Sequence, residues 1–334
     1  MKILVLYNVA RDLGVGVASD IICEHEIEII VPLVEELLLA RGYEVETLET
    51  TQNLWNDLVR RIGTFDLVLN MAESFGGGNT DEPLVPAMLE ALRIPFTGAS
   101  SLNMQLTLDK EKSKLVCQGY GVPVTPYQRF DSPDEVLQSN ISFPAIVKPI
   151  RQEGSIGIYA DCVVKNETEL RAKVAHIISN YFQQAIVESF IVGREISVGV
   201  IGNGTNLIVL PPLEFQFPDT QDDLLKIRSF EYKWGGQTEK MVRADLPSSV
   251  IEKLVDFTKT AFRATECRDY ARMDFRVTPD GEIYLLEVNY NPGIGPNSHG
   301  LNNTLTKMAS FTGRGFEDLI EGIILIAASR EKLV

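Results

Sequence analysis

Two patterns in the sequence predict an α/β protein, with a doubly wound domain at the N-terminus and a mixed α+β part after it. Over the first hundred residues, short apolar runs alternate with segments of helical spacing, which is typical of a parallel sheet covered by helices on both faces. Beyond that point the chain changes to paired strand-like runs, and the turn Thr278-Pro-Asp-Gly281 joins the clearest pair. A length of 334 residues allows two or three domains.

The N-terminal elements alternate between strand and helix. The strands are short and apolar, and each helix has apolar residues on one face. Glycine at position 42 ends the first helix. The predicted elements are the strands Ile3–Tyr7, Tyr43–Leu48 and Phe65–Asn70 and the helices Glu28–Arg41, Leu54–Ile62 and Pro86–Leu92. We expect a ligand crevice at the carboxyl ends of these strands, near Asn8 and Asn70.

The rest of the chain has fewer helices and more strands. Its predicted helices are Leu108–Gly119, Glu167–Tyr181, Pro247–Thr265 and Phe316–Ala328. Its predicted strands are Pro144–Pro149, Ala185–Glu188, the runs from Glu195 to Val209, and the two arms of the hairpin around residue 280. A glycine loop at Gly154–Gly157 and a polar loop at Phe215–Lys240 complete the pattern.

Charge and cysteine content narrow the classes of partner. The net charge of −15 and the pI of about 4.8 disfavour nucleic acid and anionic membranes as partners, because such a surface repels phosphate groups. The apolar stretch Leu319–Ala328 is too short to span a bilayer, and the N-terminus does not resemble a signal peptide. The four cysteines have no metal or disulfide spacing, which favours reduced thiols and a cytoplasmic location.

Oxygen ligands at the hairpin indicate a metal site. Asp274 lies in the first arm, and Glu287 and Asn289 lie in the second arm. Hard oxygen ligands suit Mg²⁺, and Arg272 adds a fixed positive charge beside them. Each residue could instead occupy a turn or a strand edge, but carboxylates are seldom buried without a partner. The combination favours phosphoryl chemistry.

A second group of residues suits a nucleotide. Lys148 ends a predicted strand, and the glycine loop with Ser155 follows it, so backbone N–H groups could converge on a phosphate. Alone, Lys148 could be a solvated surface lysine. Acidic Glu188 and Glu195 could accept hydrogen bonds from an amino group or a ribose. The apolar Phe190 and Ile191 could face an adenine, although such residues usually belong to a core.

These residues together resemble a known family. Lys110, the pair Lys148-Pro149, the glycine loop, Glu188, Arg272-Met-Asp274 and the run Glu287-Val-Asn289-Tyr-Asn-Pro-Gly293 resemble the ATP-grasp ligases, and most closely the D-alanine–D-alanine ligase group. The resemblance covers nearly the whole chain. It implies an ATP-grasp fold with an N-terminal Rossmann-like (preATP-grasp) domain. The expected domains are 1–102, a central ATP-grasp domain 103–190 and a C-terminal ATP-grasp domain 191–334.

The resemblance also implies roles for individual residues. ATP phosphates would contact Lys110, Lys148 and Ser155, while adenine and ribose would contact Glu188, Phe190, Ile191 and Glu195. Two Mg²⁺ ions, with Mn²⁺ as a possible substitute, would bind Asp274, Glu287 and Asn289. Arg272, Lys233, Ser155 and Glu24 would form the catalytic group. The substrate set would be Glu24, Asn70, Glu73, Trp234, Gly293, Ser298 and His299. Members of the group are often homodimers.

Departures from the family pattern concern the substrate. The family's His-Gly…Gly-Glu-Asp-Gly segment is replaced by the longer run from Asn70 to Pro83, which has no histidine. The family's Lys-Tyr pair appears as Lys233-Trp234. We therefore expect an ATP-dependent ligase that joins an amino acid amine to a small acidic acceptor through an acyl phosphate. The acceptor would differ from D-alanine, and a mycosporine-type cyclohexenone is one candidate.

Three other functions are alternatives to this one. A D-alanine–D-alanine ligase of peptidoglycan synthesis and a non-catalytic ATP-binding regulatory protein both stay open. The second is disfavoured because Arg272 and all three metal ligands are present. A redox enzyme of the Rossmann type is excluded, because the first strand is not followed by Gly-x-Gly-x-x-Gly with an acidic residue about 20 positions further on.

Overall fold

Three β-sheets and the helices packed on them account for the part of the chain that the structure describes. The computed structural model describes residues 1–9, 26–75, 81–218, 222–234, 240–296 and 303–334. Within those ranges, no helix has the length and apolar character needed to cross a membrane.

The N-terminal sheet is parallel and is covered on both faces. Its strands β1 (Lys2–Tyr7), β2 (Glu44–Glu49) and β3 (Leu67–Asn70) lie in the order β2-β1-β3. Ile3 and Val5 pack into a core with α1 (Glu26–Ala40), while Leu4 and Leu6 pack with α2 (Leu54–Arg61) and α3 (Leu84–Ala91). This alternation follows from the two-residue period of a strand. The prediction of a doubly wound N-terminal fold is confirmed.

The helix predicted at Leu108–Gly119 is present from Lys110 onward, and a helix that was not predicted precedes it. Helix α4 (Ser101–Leu108) ends at Asp109, which has an extended backbone, and α5 (Lys110–Gly119) begins directly after it. The Asp109 carboxylate accepts a hydrogen bond from the Lys112 N–H at 3.2 Å. An aspartate at this position caps the new helix, so the chain turns here and does not continue one helix.

The second sheet is antiparallel and carries the residues predicted to bind a nucleotide. Its strands lie in the order β4-β7-β5-β6. Helix α6 (Glu167–Tyr181) covers one face with Leu170, Val174 and Ile177. The strand bounds are Tyr127–Phe130 for β4, Ala145–Pro149 for β5, Val163–Val164 for β6 and Ala185–Ser189 for β7.

The third sheet contains six strands, and the predicted hairpin lies at one edge of it. Five strands lie in the order β11-β10-β8-β12-β13, and β9 pairs with the far end of β8. The hairpin turn is confirmed, with the Gly281 N–H donating to the Thr278 carbonyl at 3.0 Å. The strands are β8 (Arg194–Asn203), β9 (Asn206–Val209), β10 (Leu213–Gln216), β11 (Lys240–Arg243), β12 (Asp269–Val277) and β13 (Ile283–Asn289).

Helices cover both faces of the third sheet. The face toward α8 (Ser248–Ala264) is an apolar core that includes Met273 and Phe275, whereas α9 (Thr304–Ser310) and α10 (Phe316–Arg330) belong to a core shared with the N-terminal sheet. The predicted polar loop Phe215–Lys240 is more regular than expected. It starts with the end of β10, and it contains the short helix α7 (Phe230–Trp234). Helix α9 was not predicted.

Candidate active site

The floor of a deep cleft is formed by one face of strands β8, β12 and β13. Along β12, Arg272, Asp274 and Arg276 alternate with the buried apolar residues, so all three side chains reach the cleft. In the sheet register, Asp274 lies opposite Ser197 and Glu287, and Arg272 lies opposite Asn289. The ladder therefore brings together the four residues that the sequence analysis selected from two separate runs.

Charge pairing holds the Asp274 carboxylate in place. Arg272 Nε and Nη2 donate to its two oxygens at 2.9 Å each, and Asn289 Nδ2 donates to Oδ2 at 2.8 Å. Burial alone would raise the pKa of Asp274. The positive charge and hydrogen bonds of Arg272 outweigh that effect and leave the pKa below its ordinary value. Asp274 is thus an anionic oxygen ligand at neutral pH.

A β-bulge places Glu287 in the cleft. The register of β12 and β13 shifts between Asp274 and Phe275, so Leu286 and Glu287 are consecutive residues that both line the cleft. Glu287 Oε1 lies 2.7 Å from Lys110 Nζ. Lys110 is almost completely buried. Burial would lower its pKa, but Glu287 and then Glu153 raise it above the ordinary value, so the ammonium stays charged.

The donor set fits a divalent cation. Two carboxylates and an amide supply hard oxygens, and the nearest cation to Glu287 Oε1 is the Lys110 ammonium. Glu153 Oε1 is buried without a hydrogen-bond donor in the described part of the chain. Within the described ranges, no three His, Cys, Asp or Glu side chains form a metal-binding group on their own. The amide of Asn289 would therefore complete the set.

Two lysines share one buried glutamate on the second sheet. Glu188 Oε1 lies 3.2 Å from Lys148 Nζ, and Oε2 lies 3.3 Å from Lys114 Nζ and accepts a hydrogen bond from Thr125 Oγ1 at 2.8 Å. Burial alone would raise the pKa of Glu188. The two ammonium groups have the larger, opposite effect, and the pKa is lowered to about 2. Lys148 lines the cleft, so its charge faces the space between the sheets.

The chain between the second and third sheets forms another wall of the cleft. Phe190, Ile191 and Glu195 all line it. Glycine is required at position 193, because a Cβ there would lie 2.3 Å from the Val277 carbonyl oxygen. Glu195 Oε2 lies 3.2 Å from Arg276 Nη2, and both side chains are buried.

The glycine loop and residues 222–234, hereafter the covering segment, contact each other over the cleft. Ser155 Oγ donates to the Arg228 carbonyl at 2.9 Å, and Trp234 Nε1 donates to the Gly154 carbonyl at 3.0 Å. Lys233 Nζ lies 4.4 Å from the centre of the Trp234 indole ring. Gly154 and Ser155 both have positive φ, at 66° each, which brings their backbone into a tight turn. The two elements close one side of the cleft.

The N-terminal wall is apolar and acidic. The cleft residues from this part of the chain are Ile27, Ile30, Met71, Glu73 and Glu82. Burial raises the pKa of Glu82 well above its ordinary value, and Glu73 and Glu153 add to the effect. Glu82 accepts hydrogen bonds from Tyr290 Oη at 2.5 Å and from Asn291 Nδ2 at 3.3 Å, which join this wall to the end of β13.

Most of the predicted site residues meet in this cleft, and one does not. Asn70 is buried outside the lining, where its N–H donates to Thr97 Oγ1 and its side-chain oxygen accepts from the Ala72 N–H. Its side chain braces the backbone after β3, and its substrate contact stays a prediction. Glu24, Ser298 and His299 lie outside the described residues. The predicted residues that line the cleft are Glu73, Lys110, Lys148, Ser155, Glu188, Phe190, Ile191, Glu195, Lys233, Trp234, Arg272, Asp274, Glu287, Asn289 and Gly293.

Several cleft residues were not selected from the sequence. Arg276 follows Asp274 by two positions, so the strand period could have placed it on the same face. Lys114, which is buried next to the cleft but outside its lining, follows Lys110 by four positions, which is the spacing of neighbours on a helix. Its ammonium donates to the Leu286 carbonyl at 2.8 Å and thereby supports the bulge. Glu82 and Glu153 are joined to the site only by tertiary contacts.

Solved structures show which fold this chain shares. The D-alanine–D-alanine ligase from Bacillus anthracis complexed with ATP superposes with a TM-score of 0.73 at 21% identity, over 100% of this chain and 99% of that one. The VanG D-Ala:D-Ser ligase from Enterococcus faecalis superposes with a TM-score of 0.73 at 19% identity, over 98% of this chain and 99% of that one. The fold is that of the ATP-grasp ligases.

Sequence comparison then identifies the family. A family model described as D-ala D-ala ligase C-terminus matches residues 116–325. A D-alanine–D-alanine ligase of Geotalea uraniireducens is 30% identical over 300 residues, which cover 88% of each protein. An uncharacterized protein, y4sG, of Sinorhizobium fredii is 34% identical over 80% of this chain and 76% of its own length. The chain belongs to the D-alanine–D-alanine ligase family, and it is an ATP-dependent carboxylate–amine ligase. Enzymes of this kind use ATP with a divalent metal ion.

Proposed function

We propose that this ligase activates the acidic group of a small molecule other than D-alanine and joins it to an amino acid. In the first step, a substrate oxygen attacks the terminal phosphorus of ATP, the bond to the bridging oxygen breaks, and ADP leaves. The amine nitrogen of the second substrate then attacks the activated carbon. Inorganic phosphate departs with the bonding electrons, and the nitrogen gives up a proton.

Charge neutralisation is the main contribution of the cleft floor. Asp274, Glu287 and Asn289 would hold two Mg²⁺ ions, which would offset the negative charge of the phosphates, and Mn²⁺ would suit the same oxygen ligands. Arg272 and Lys148 would stabilise the charge on the phosphoryl group in transit. The observation that carries the proposal is the adjacency of Arg272, Asp274 and Asn289 on one sheet face, with Glu287 across the ladder from Asp274.

The nucleotide would occupy the side of the cleft between the second and third sheets. Lys110, Lys148 and the Ser155 backbone would contact phosphates. The adenine and ribose would lie against Glu188, Phe190, Ile191 and Glu195. Glu188 already neutralises Lys114 and Lys148, so its main contribution would be to hold the Lys148 ammonium in position.

The substrate side supports a molecule with an ammonium group and an apolar portion. Glu73 faces the cleft from the N-terminal wall, beside Ile27, Ile30 and Met71. Trp234, Lys233 and Gly293 form the opposite side. Glu24, Ser298 and His299 would add to the same subsite, with Ser298 binding a carboxylate. A histidine is absent from the wall segment where the family usually has one, which favours a changed acceptor.

A screen of ADP release tests this function. The protein is incubated with ATP, Mg²⁺ and the D- or L-enantiomer of each amino acid. Each amino acid is tested alone and together with acidic acceptors, which include a mycosporine-type cyclohexenone. We expect the fastest release with a pair that is not two D-alanines. The strongest release with D-alanine alone would contradict the changed acceptor. No substrate-dependent release with any pair would contradict the ligase proposal itself.

Several expectations from the sequence and from the resemblance stay predictions. These are the homodimer, the cytoplasmic location, and the division into domains at 1–102, 103–190 and 191–334. The last boundary would fall at the connection between β7 and β8, where Gly193 lies against the Val277 carbonyl.

A further inference from the structure

One buried arginine of the cleft floor has no place in the phosphoryl chemistry described above. Arg276 lies on β12, two residues beyond Asp274 and farther from the metal ligands, and only 4% of its surface is exposed. Burial lowers the pKa of its guanidinium, and Glu195 opposes that effect. A guanidinium buried to this degree needs several acceptors, and the identity of those acceptors indicates its role.

Arg276 contacts both the proposed nucleotide wall and the covering segment. Nη1 donates to the Gly193 carbonyl at 3.1 Å and to the Lys226 carbonyl at 2.9 Å, while Nη2 lies 3.2 Å from Glu195 Oε2. Its guanidinium carbon is 5.4 Å from the centre of the Phe190 ring. One rigid group therefore touches two proposed nucleotide contacts, the connection at Gly193, and the covering segment at Lys226.

The covering segment is anchored at its other end by the glycine loop. The Phe230 N–H donates to the Ile158 carbonyl at 2.7 Å, in addition to the contacts of Ser155 and Trp234. Between Lys226 and Trp234, the segment thus bridges the nucleotide wall and the loop proposed to cover the phosphates. If Glu195 or Phe190 moves when a nucleotide binds, the Arg276 guanidinium, which contacts both residues, would transmit that movement to the covering segment.

We propose that Arg276 is a positioning residue that couples nucleotide binding to closure of the covering segment. It keeps the Glu195 carboxylate paired and oriented toward the ribose side of the cleft, and the same guanidinium holds the Lys226 carbonyl. The inference rests on the proposed nucleotide site, since Glu195 and Phe190 are proposed nucleotide contacts.

Trp234 offers a direct reporter of the covering segment. The chain has two tryptophans, and Trp55 is 44% exposed on α2, away from the cleft. In a Trp55→Phe background, emission from Trp234 therefore reports on the covering segment alone. Binding of a non-hydrolysable ATP analogue with Mg²⁺ is measured by calorimetry, and the Trp234 emission is measured at saturating analogue.

The test compares three substitutions in that background. Arg276→Met should weaken analogue binding roughly ten- to hundredfold, because the ion pair with Glu195 and the hydrogen bonds to the Gly193 and Lys226 carbonyls are lost, and should reduce the change in Trp234 emission at saturation. Arg276→Lys keeps the positive charge but not the planar guanidinium. Its affinity for the analogue and its emission change should lie between those of Arg276→Met and the parent. Arg194→Met is the matched control: it removes a bidentate pair with Glu214 on the same sheet, outside the cleft lining, and should match the parent.

The outcomes separate this inference from the proposed function. Equal affinity and equal emission change in the parent and in folded Arg276→Met would overturn the inference and leave the nucleotide site intact. If affinity falls and the emission change at saturation stays the same, coupling to the covering segment is refuted. If Arg276→Met does not fold, folded Arg276→Lys decides: parent-like binding and emission would overturn the proposal. A parent protein that binds no analogue would refute the nucleotide site itself.

Discussion

The position of Glu287 depends on a local feature of the fold, and its carboxylate is a proposed metal ligand. The bulge turns it into the cleft, and Lys110 lies 2.7 Å from one of its oxygens. Glu287→Gln keeps the shape and removes the negative charge, so a divalent cation loses a carboxylate ligand. We expect substrate-dependent ADP release to fall by at least about a hundredfold, since even outer-shell changes at metal sites cost about 10- to 100-fold.

The control for that substitution lies on the same hairpin. Glu282 is exposed in the turn before β13, so Glu282→Gln makes the same chemical change away from the cleft. ADP release by this variant should match the unmodified protein. Unchanged turnover in Glu287→Gln would refute the metal assignment.

Glu188 should make the fold sensitive to acid. Its pKa is lowered from 4.5 to about 2 in the folded protein, so its contribution to stability is complete above the unfolded pKa. That contribution is lost as pH falls from about 4.5 toward about 2, because folding then opposes protonation. The measurement is the free energy of unfolding in urea for the unmodified protein and for Glu188→Gln. The difference between them should shrink as pH falls from about 7 to about 3, and a constant difference would contradict the ion pairs.

At the scale of elements, helix α5 supports the bulge of β13 through Lys114. The Lys114 ammonium meets the Leu286 carbonyl and Glu188, and the side chain is only 1% exposed. Lys114→Met removes one partner of a buried ion pair, so the free energy of unfolding should fall by about 3–5 kcal/mol. Lys112→Met, on the same helix, breaks a more exposed pair with Asp109, and it should cost less than about 1 kcal/mol. Equal losses for the two variants, measured by urea unfolding, would contradict a supporting role for Lys114.

Local patterns predicted the regular elements well. The bounds of α6 agree with the prediction, because Asn166 caps its start and apolar residues repeat at helical spacing. The start of α5 was predicted two residues early, at Leu108, because an aspartate beside a charged helical run does not show whether it caps the helix. Helix α9 was missed because the run of glycine, proline and asparagine before it indicates a loop.

The proximity of site residues was predictable where they lie on the two strands of one hairpin. Arg272, Asp274, Glu287 and Asn289 belong to one hairpin, so local pairing brings them together. Asn70 lies outside the cleft lining, which shows that the carboxyl end of a strand locates a region and not a side-chain direction. Glu82 joins Tyr290 across 208 positions of sequence, and no local pattern reports such a contact.

Across the whole molecule, the cleft depends on contacts between the N-terminal region and the third sheet. The Asp269 carboxylate, at the start of β12, accepts hydrogen bonds from the Gly98 N–H, Asn203 Nδ2 and Arg330 Nη2 at 2.8–2.9 Å. These groups come from the N-terminal wall region, from β8 and from α10. The strand that carries Arg272 and Asp274 is thereby fixed relative to the wall that carries Glu73 and Glu82. This arrangement would allow the cleft to hold a nucleotide and an acceptor on opposite sides, as proposed above.

The central claim is that this cleft activates an acidic acceptor by phosphorylation before the amine attacks. The most direct test uses the best acceptor from the ADP-release screen, labelled with oxygen-18 in its acidic group, together with ATP, Mg²⁺ and the amino acid. Mass spectrometry of the inorganic phosphate should show one labelled oxygen per turnover, because the acceptor oxygen stays on phosphorus when the amine displaces it. Phosphate without label during product formation would contradict the account.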